Sequence, residues 1–139
     1  LGKQPELPDA LNKMMSEEIA KQAMQLFFAG QEDDAISLLI PLVENGDNIA
    51  KANLGFLFAH YFKNDKYSKL KEGAQLLLQA CDEGEPSACH NLAGLWLGDA
   101  PTLGKDLKQA AYFYLRAREL GGPVADEKFY ATWEDELYR

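Results

Sequence analysis

Long apolar runs are missing from this 139-residue chain. No stretch approaches the roughly 18 consecutive apolar residues of a membrane-crossing helix, so no span is expected. Basic residues are few: 14 Lys and Arg stand against 22 Asp and Glu, a formal net charge of −8 at pH 7. Without a basic run to neutralise phosphates, nucleic acid and anionic membrane surfaces are poor partners. Catalytic motifs are missing as well. There is no G-x-S-x-G, H-E-x-x-H or P-loop, and Ser16, Ser37, Ser68 and Ser87 have no base at motif spacing. Cys81, Cys89 and His90 offer three soft ligands without a fourth, which argues against zinc. The expectation is a chain with no enzymatic activity, no metal and no cofactor.

What is present fits one folded domain. The 47% hydrophobic content is that of an ordinary globular chain. Carboxylates gather at Glu32, Asp33 and Asp34, at Asp82, Glu83 and Glu85, and at Glu134, Asp135 and Glu136. Two readings of this acidity stand: simple solubility, or a field that steers in a basic partner. The chain opens on Leu1 rather than Met, which implies that an upstream segment has been removed.

The strongest pattern is a repeat. AKANLGFLFA at residues 50–59 returns as ACHNLAGLWL at residues 88–97, matching Ala50 to Ala88, Asn53 to Asn91, Leu54 to Leu92, Gly55 to Ala93, Leu57 to Leu95 and Phe58 to Trp96. GAQLLLQACDEG at residues 73–84 returns as AAYFYLRARELG at residues 110–121. Such a unit cannot bury its apolar face alone and must stack on its neighbours.

Apolar residues at three- and four-residue spacing predict seven helices, over residues 17–29, 32–44, 48–62, 67–82, 86–97, 105–119 and 124–138. A lead-in over residues 1–15, with Pro5 and Pro8, reads as extended, the first helix starting near Asp9 or at Ser16 as its N-cap. Pro41 should bend or shorten the second helix. Asn64, Asp65 and Lys66 form one longer connector, and Gly98, Asp99, Pro101 and Gly104 another. Without β-alternation, the fold class is all-α: antiparallel helix pairs in a solenoid. Small residues (Gly55, Ala74, Ala93, Ala111) let helices approach closely, while Phe58 and Trp96 fill the wider layer between repeats, alongside Leu54 and Leu92.

At these positions the chain resembles the Sel1-like repeat family, relatives of the tetratricopeptide repeats. The resemblance rests on Ala50, Asn53, Leu54, Gly55, Leu57 and Phe58, then Gly73, Ala74, Ala80 and Gly84. It recurs at Ala88, Asn91, Leu92, Leu95 and Trp96, then at Gln109, Ala110, Ala111, Ala117 and Gly121. Gly73 stands where the family often has Lys. About three and a half repeats are implied, over residues 16–47, 48–85 and 86–123 with a partial repeat over 124–139. Family members are adaptors, regulators and inhibitors, so the resemblance implies a fold more sharply than a task.

Cys81 ends one repeat and Cys89 opens the next. A turn between them can bring two Cα atoms within disulfide reach, and the Cys-x7-Cys spacing is similar to that of cysteine-rich, secreted Sel1-like members. The other reading is two buried thiols in a reducing cytosol. A disulfide implies the periplasm or the cell exterior; free thiols imply the cytoplasm.

In stacked helix pairs the first helix of each pair lines the inner surface. That stripe comprises Ala20, Met24, Phe27 and Phe28 in the first helix, Ala52, Phe56, Ala59 and His60 in the third, His90, Gly94 and Leu97 in the fifth, and Glu127, Ala131 and Glu134 in the last. Met and aromatic anchors suit partner recognition, although each of these side chains could equally pack on a neighbouring helix. Trp133 and the tail tyrosines are expected to close the open end of the stack. The function expected is therefore partner binding without catalysis. A dedicated inhibitor, such as a bacterial immunity protein that occupies a toxin's active site, is one form; an adaptor in envelope signalling or complex assembly is the other.

Overall fold

The computed structural model describes residues 9–61, 69–97, 104–122 and 125–139. Within them lie seven helices: α1 (Asp9–Phe28), α2 (Glu32–Glu44), α3 (Asn48–His60), α4 (Leu70–Asp82), α5 (Pro86–Gly94), α6 (Leu107–Glu119) and α7 (Glu127–Leu137). The one β-type pairing among the described residues is an isolated bridge from Leu97 to Lys105. Each helix packs on the next, and the odd-numbered helices also touch, α1 on α3 and α3 on α5. The chain is thus an all-α solenoid: three helical hairpins followed by a single helix.

The hairpins close on small residues. Gly55 of α3 faces Gly73 of α4 so tightly that a Cβ added at either glycine would lie 2.9 Å or 2.7 Å from the other's carbonyl oxygen. In the next hairpin the matching positions are Ala93 and Ala110, both fully buried. Around these seams the core falls into three successive clusters. Ala23, Ala35, Leu39, Leu54 and Leu57 fill the first part; Leu77, Ala80, Ala88, Leu92 and Leu95 fill the middle; Ala110 and Tyr114 reach α7 through Phe129 and Trp133. Ala74 packs at the margin of the middle cluster, and Ala111 is fully buried. Phe58 is buried and Trp96 half-buried, as fillers between repeats should be.

Inter-repeat turns repeat one solution. At the end of α4 the Glu85 N–H donates to the Ala80 carbonyl (2.9 Å) and Gly84 adopts φ +100°, which requires glycine. The end of α2 does the same with Asp47, Leu42 and Gly46. An acceptor side chain then starts the next helix: Asp47 Oδ1 takes the Ala50 N–H at 2.8 Å, Asp106 Oδ1 the Lys108 and Gln109 N–H groups, and Asp126 Oδ1 the Phe129 N–H.

Several expectations are corrected. Residues 9–15 are helical, so the extended lead-in does not reach residue 15; its first eight residues lie outside the described ones. Ser16 is no N-cap but a buried mid-helix residue whose hydroxyl donates to Asp47 Oδ2, tying α1 to the start of α3. Pro41 does not shorten α2, which continues to Glu44. The helix lies on the surface there, with Ser37 and Pro41 both exposed, so water can meet the Ser37 carbonyl that Pro41 leaves without its usual N–H. α5 stops at Gly94 rather than residue 97, its last turn tightening through bonds such as Trp96 N–H to Ala93 O. Most of both predicted connectors, with Asn64, Asp65, Lys66, Gly98, Asp99 and Pro101, falls outside the described residues.

The sulfurs of Cys81 and Cys89 lie at disulfide-bond distance, their Cα atoms 4.7 Å apart, both side chains buried beside the α4–α5 turn. Closing so short a loop (sequence separation 8) contributes about 2.5 kcal/mol in the chain-entropy picture. Reduction, or the Cys81→Ala/Cys89→Ala pair, is expected to lower the melting temperature by roughly 5–10 °C. Thermal unfolding with and without reductant checks this; an unchanged midpoint would contradict it.

Candidate functional site

Three odd-numbered helices lying side by side offer one side chain per turn to a common face. On α1 the stripe is Glu17, Lys21, Met24 and Phe28; on α3 it is Ile49, Asn53, Phe56 and His60; on α5 it is Pro86, His90, Gly94 and, just past the helix end, Leu97. The face has two ends of different chemistry.

One end is polar. A cavity of about 390 Å³ spans α1, α3 and the start of α5, lined by Glu17, Lys21, Ile49, Asn53, Pro86 and Ser87 among others. Asn53 is held in place by donating through Nδ2 to the Ile49 carbonyl at 2.8 Å. Opposite charges and amide groups share this end, so it can exchange hydrogen bonds with peptide groups but holds no single-sign field.

The other end is a row of rings. Phe28 meets Phe27 (5.7 Å between centroids) and Tyr61 (5.1 Å); Tyr61 meets Phe56 (5.5 Å); Phe56 meets His60 (5.0 Å). A second group joins His90 to Tyr114 (4.9 Å) and Tyr114 to Phe129 and Trp133 (5.0 Å each). Gly94 connects the two groups. A Cβ there would sit 3.9 Å from both His60 Cε1 and the Tyr114 hydroxyl, at ordinary contact distance from each group. Edge-to-face packing of this kind is favourable beyond the area it buries.

The predicted stripe is therefore assembled in part. Phe56, His60, Met24, His90 and Leu97 are half-buried on the face, and Phe28 is 57% exposed. Phe27 (6% exposed) and Ala52 (1%) are core residues instead, as is Ala59. Phe27 continues the buried stripe of Ser16, Ala20 and Ala23, and Ala52 lies in the cluster shared by α3 to α6. Contact between odd-numbered helices closes positions that a simple inner-face reading leaves open. Glu127 is exposed in the first turn of α7. Tyr130 is buried and Trp133 packs on Tyr114, but Tyr138 is 82% exposed and closes nothing.

Tyr61, Tyr114 and Phe129 belong to the row although sequence periodicity did not put them there. Tyr61 lies beyond the helix, where its extended backbone (φ −114°, ψ 114°) lets its ring contact Phe27, Phe28 and Phe56. A 3.6-residue period carries no information about such a residue.

Both histidines sit within the row with one ring nitrogen buried and unpartnered, Nε2 of His60 and Nδ1 of His90. Burial lowers the pKa of each below 6.5; for His60 a hydrogen bond with the Asn91 backbone partly offsets the effect. The folded chain thus resists protonation more than the unfolded chain does. As pH falls through 6.5 the unfolded state takes up protons first, so stability present above that value is lost, down to the folded-state pKa values. Denaturant midpoints measured between pH 7.5 and 5 are expected to fall, and the fall should shrink in a His60→Gln/His90→Gln variant. A flat profile in the native chain would contradict this.

Among the described residues, no three His, Cys, Asp or Glu side chains gather as metal ligands, and no helix is long and apolar enough to cross a membrane. In comparisons with protein-family models, with curated proteins and with solved structures, nothing matches this chain.

Proposed function

We propose that this chain is a non-enzymatic binding module that holds one protein partner across the face of α1, α3 and α5. The observation that carries the reading is the juxtaposition on that face of an open polar cavity and a packed aromatic row ending in the exposed Phe28. A partner covering both ends meets hydrogen-bonding groups at one and rigid rings at the other, the mixture that interfaces use for register and for anchoring. The face is built on helices held by small-residue seams, so its geometry is set before the partner arrives and little ordering entropy is lost on binding.

The Sel1-like resemblance agrees with this reading. Within it, a dedicated inhibitor is the form we favour, of the kind by which a bacterial immunity protein occupies the active site of a toxin. A small rigid domain with net charge −8 and one preformed face suits a single client, and a basic client would be steered in by the field. The Cys81–Cys89 pair supports an oxidising workplace, the periplasm or the cell exterior.

The test is affinity capture with the intact chain from its native host, compared with Phe28→Asp and Lys21→Glu variants. One dominant partner is expected, retained at least tenfold less by each variant and losing its own activity when the native chain is bound. Capture that is equal for all three chains would overturn the face assignment. A bound partner that stays fully active would overturn the inhibitor form in favour of an adaptor.

A further inference from the structure

A second surface lies on the other helix layer. Between α4 and α6, with α5 as its floor, is a groove of about 280 Å³. Ala74 and Leu78 line it from α4, Leu92 from α5, Trp96 from the turn just past the end of α5, and Phe113 from α6, with Gln75, Gln109 and Lys71 the polar residues among its lining. Leu78 is 43% exposed. The repeat alignment supplies an internal control, because Phe58 occupies the position equivalent to Trp96 one repeat earlier. There the ring is buried at 7% exposure and Lys69 lies over it at 5.4 Å. At Trp96 no such cover is present among the described residues: the ring is half-buried and its indole N–H is buried without a hydrogen-bond partner.

Charge narrows the occupant. Lys71 is the one charged residue lining the groove, and no ion pair to it is present among the described residues. Glu72, next to it in sequence, pairs with Lys69 at 3.7 Å. In a chain of net charge −8 this is a positive charge, unpaired among the described residues, beside apolar surface. From this we infer that the α4–α5–α6 groove docks a short acidic peptide segment, one bulky apolar side chain seated against Leu78, Trp96 and Phe113 and an adjacent carboxylate paired with Lys71. A cavity of this size holds one such side chain, and the amides of Gln75 and Gln109 can exchange hydrogen bonds with the peptide backbone. Nothing in this assignment depends on the face of α1, α3 and α5.

The probe is a displayed random-peptide library selected on the immobilised full chain. Selected peptides are expected to share an aromatic or branched apolar residue beside Asp or Glu. Their affinity should fall at least tenfold on Lys71→Glu and on Leu78→Asp, two exposed positions whose substitution leaves the melting temperature nearly unchanged. Replacing the peptide carboxylate by Lys should restore binding to Lys71→Glu. In the ¹H–¹⁵N spectrum the Trp96 indole signal should move on peptide addition while that of Trp133 stays. Selection of basic peptides, full binding by both variants, or movement of Trp133 alone would overturn the inference. So would sedimentation showing that the free chain is a dimer made monomeric by Leu78→Asp, since the occupant would then be a second copy.

Discussion

The contact on which the rest depends is the meeting of two backbones at Gly55 and Gly73. With no side chain on either residue, α3 and α4 approach until a Cβ on one would press within 2.9 Å of the other's carbonyl oxygen. Leu57 and Leu77 are fully buried in the core around this seam. The following hairpin meets the same demand with Ala93 and Ala110, a methyl group wider on each side. The odd-numbered helices α1, α3 and α5 also rest against one another. Their side chains then form one continuous face rather than separate stripes.

Turns and staples transmit that arrangement along the stack. Asp47 caps α3 through one carboxylate oxygen and holds Ser16 of α1 through the other, so a single side chain fixes the start of one repeat against the previous one. Between the next two repeats the Cys81–Cys89 pair takes the same place covalently. Further along, Arg118 of α6 grips Glu134 of α7 at 2.6 Å while lying over the Tyr130 ring. The joint between repeats is thus made by a polar, a covalent and an ionic device in succession. Each acts on neighbours only, as expected of a quasi-one-dimensional fold.

Much of this was legible in the sequence, for identifiable reasons. Helix number and order follow from apolar spacing, and one side of each seam, Gly55 and Ala93, follows from the repeated phrases; on the other side the seam residues are Gly73 and Ala110, one position before the Ala74 and Ala111 that the sequence reading placed there. Site residues were legible only where helix periodicity reaches them. Phe56, His60 and His90 lie on the face because each sits on an outward stripe of its own helix. Phe27 and Ala52 were misread because their burial is decided by contact between non-consecutive helices, which no single-helix pattern encodes. Tyr61 was missed because it stands beyond a helix end. The α4–α6 groove was also missed: it is a gap left between helices, and a gap has no residue pattern of its own.

The most direct test of the account is a double-mutant cycle on the seam, with Gly94→Ala as reference. A helical Gly→Ala change ordinarily stabilises by up to about 1 kcal/mol, and at Gly94 the added methyl meets only ordinary contacts at 3.9 Å. Gly55→Ala and Gly73→Ala should each destabilise instead, by about 1–3 kcal/mol. The double variant should cost clearly less than their sum, because the helices need to be parted only once. Two stabilising, additive substitutions would mean that the backbones do not touch there, and the face built on that contact would lose its foundation.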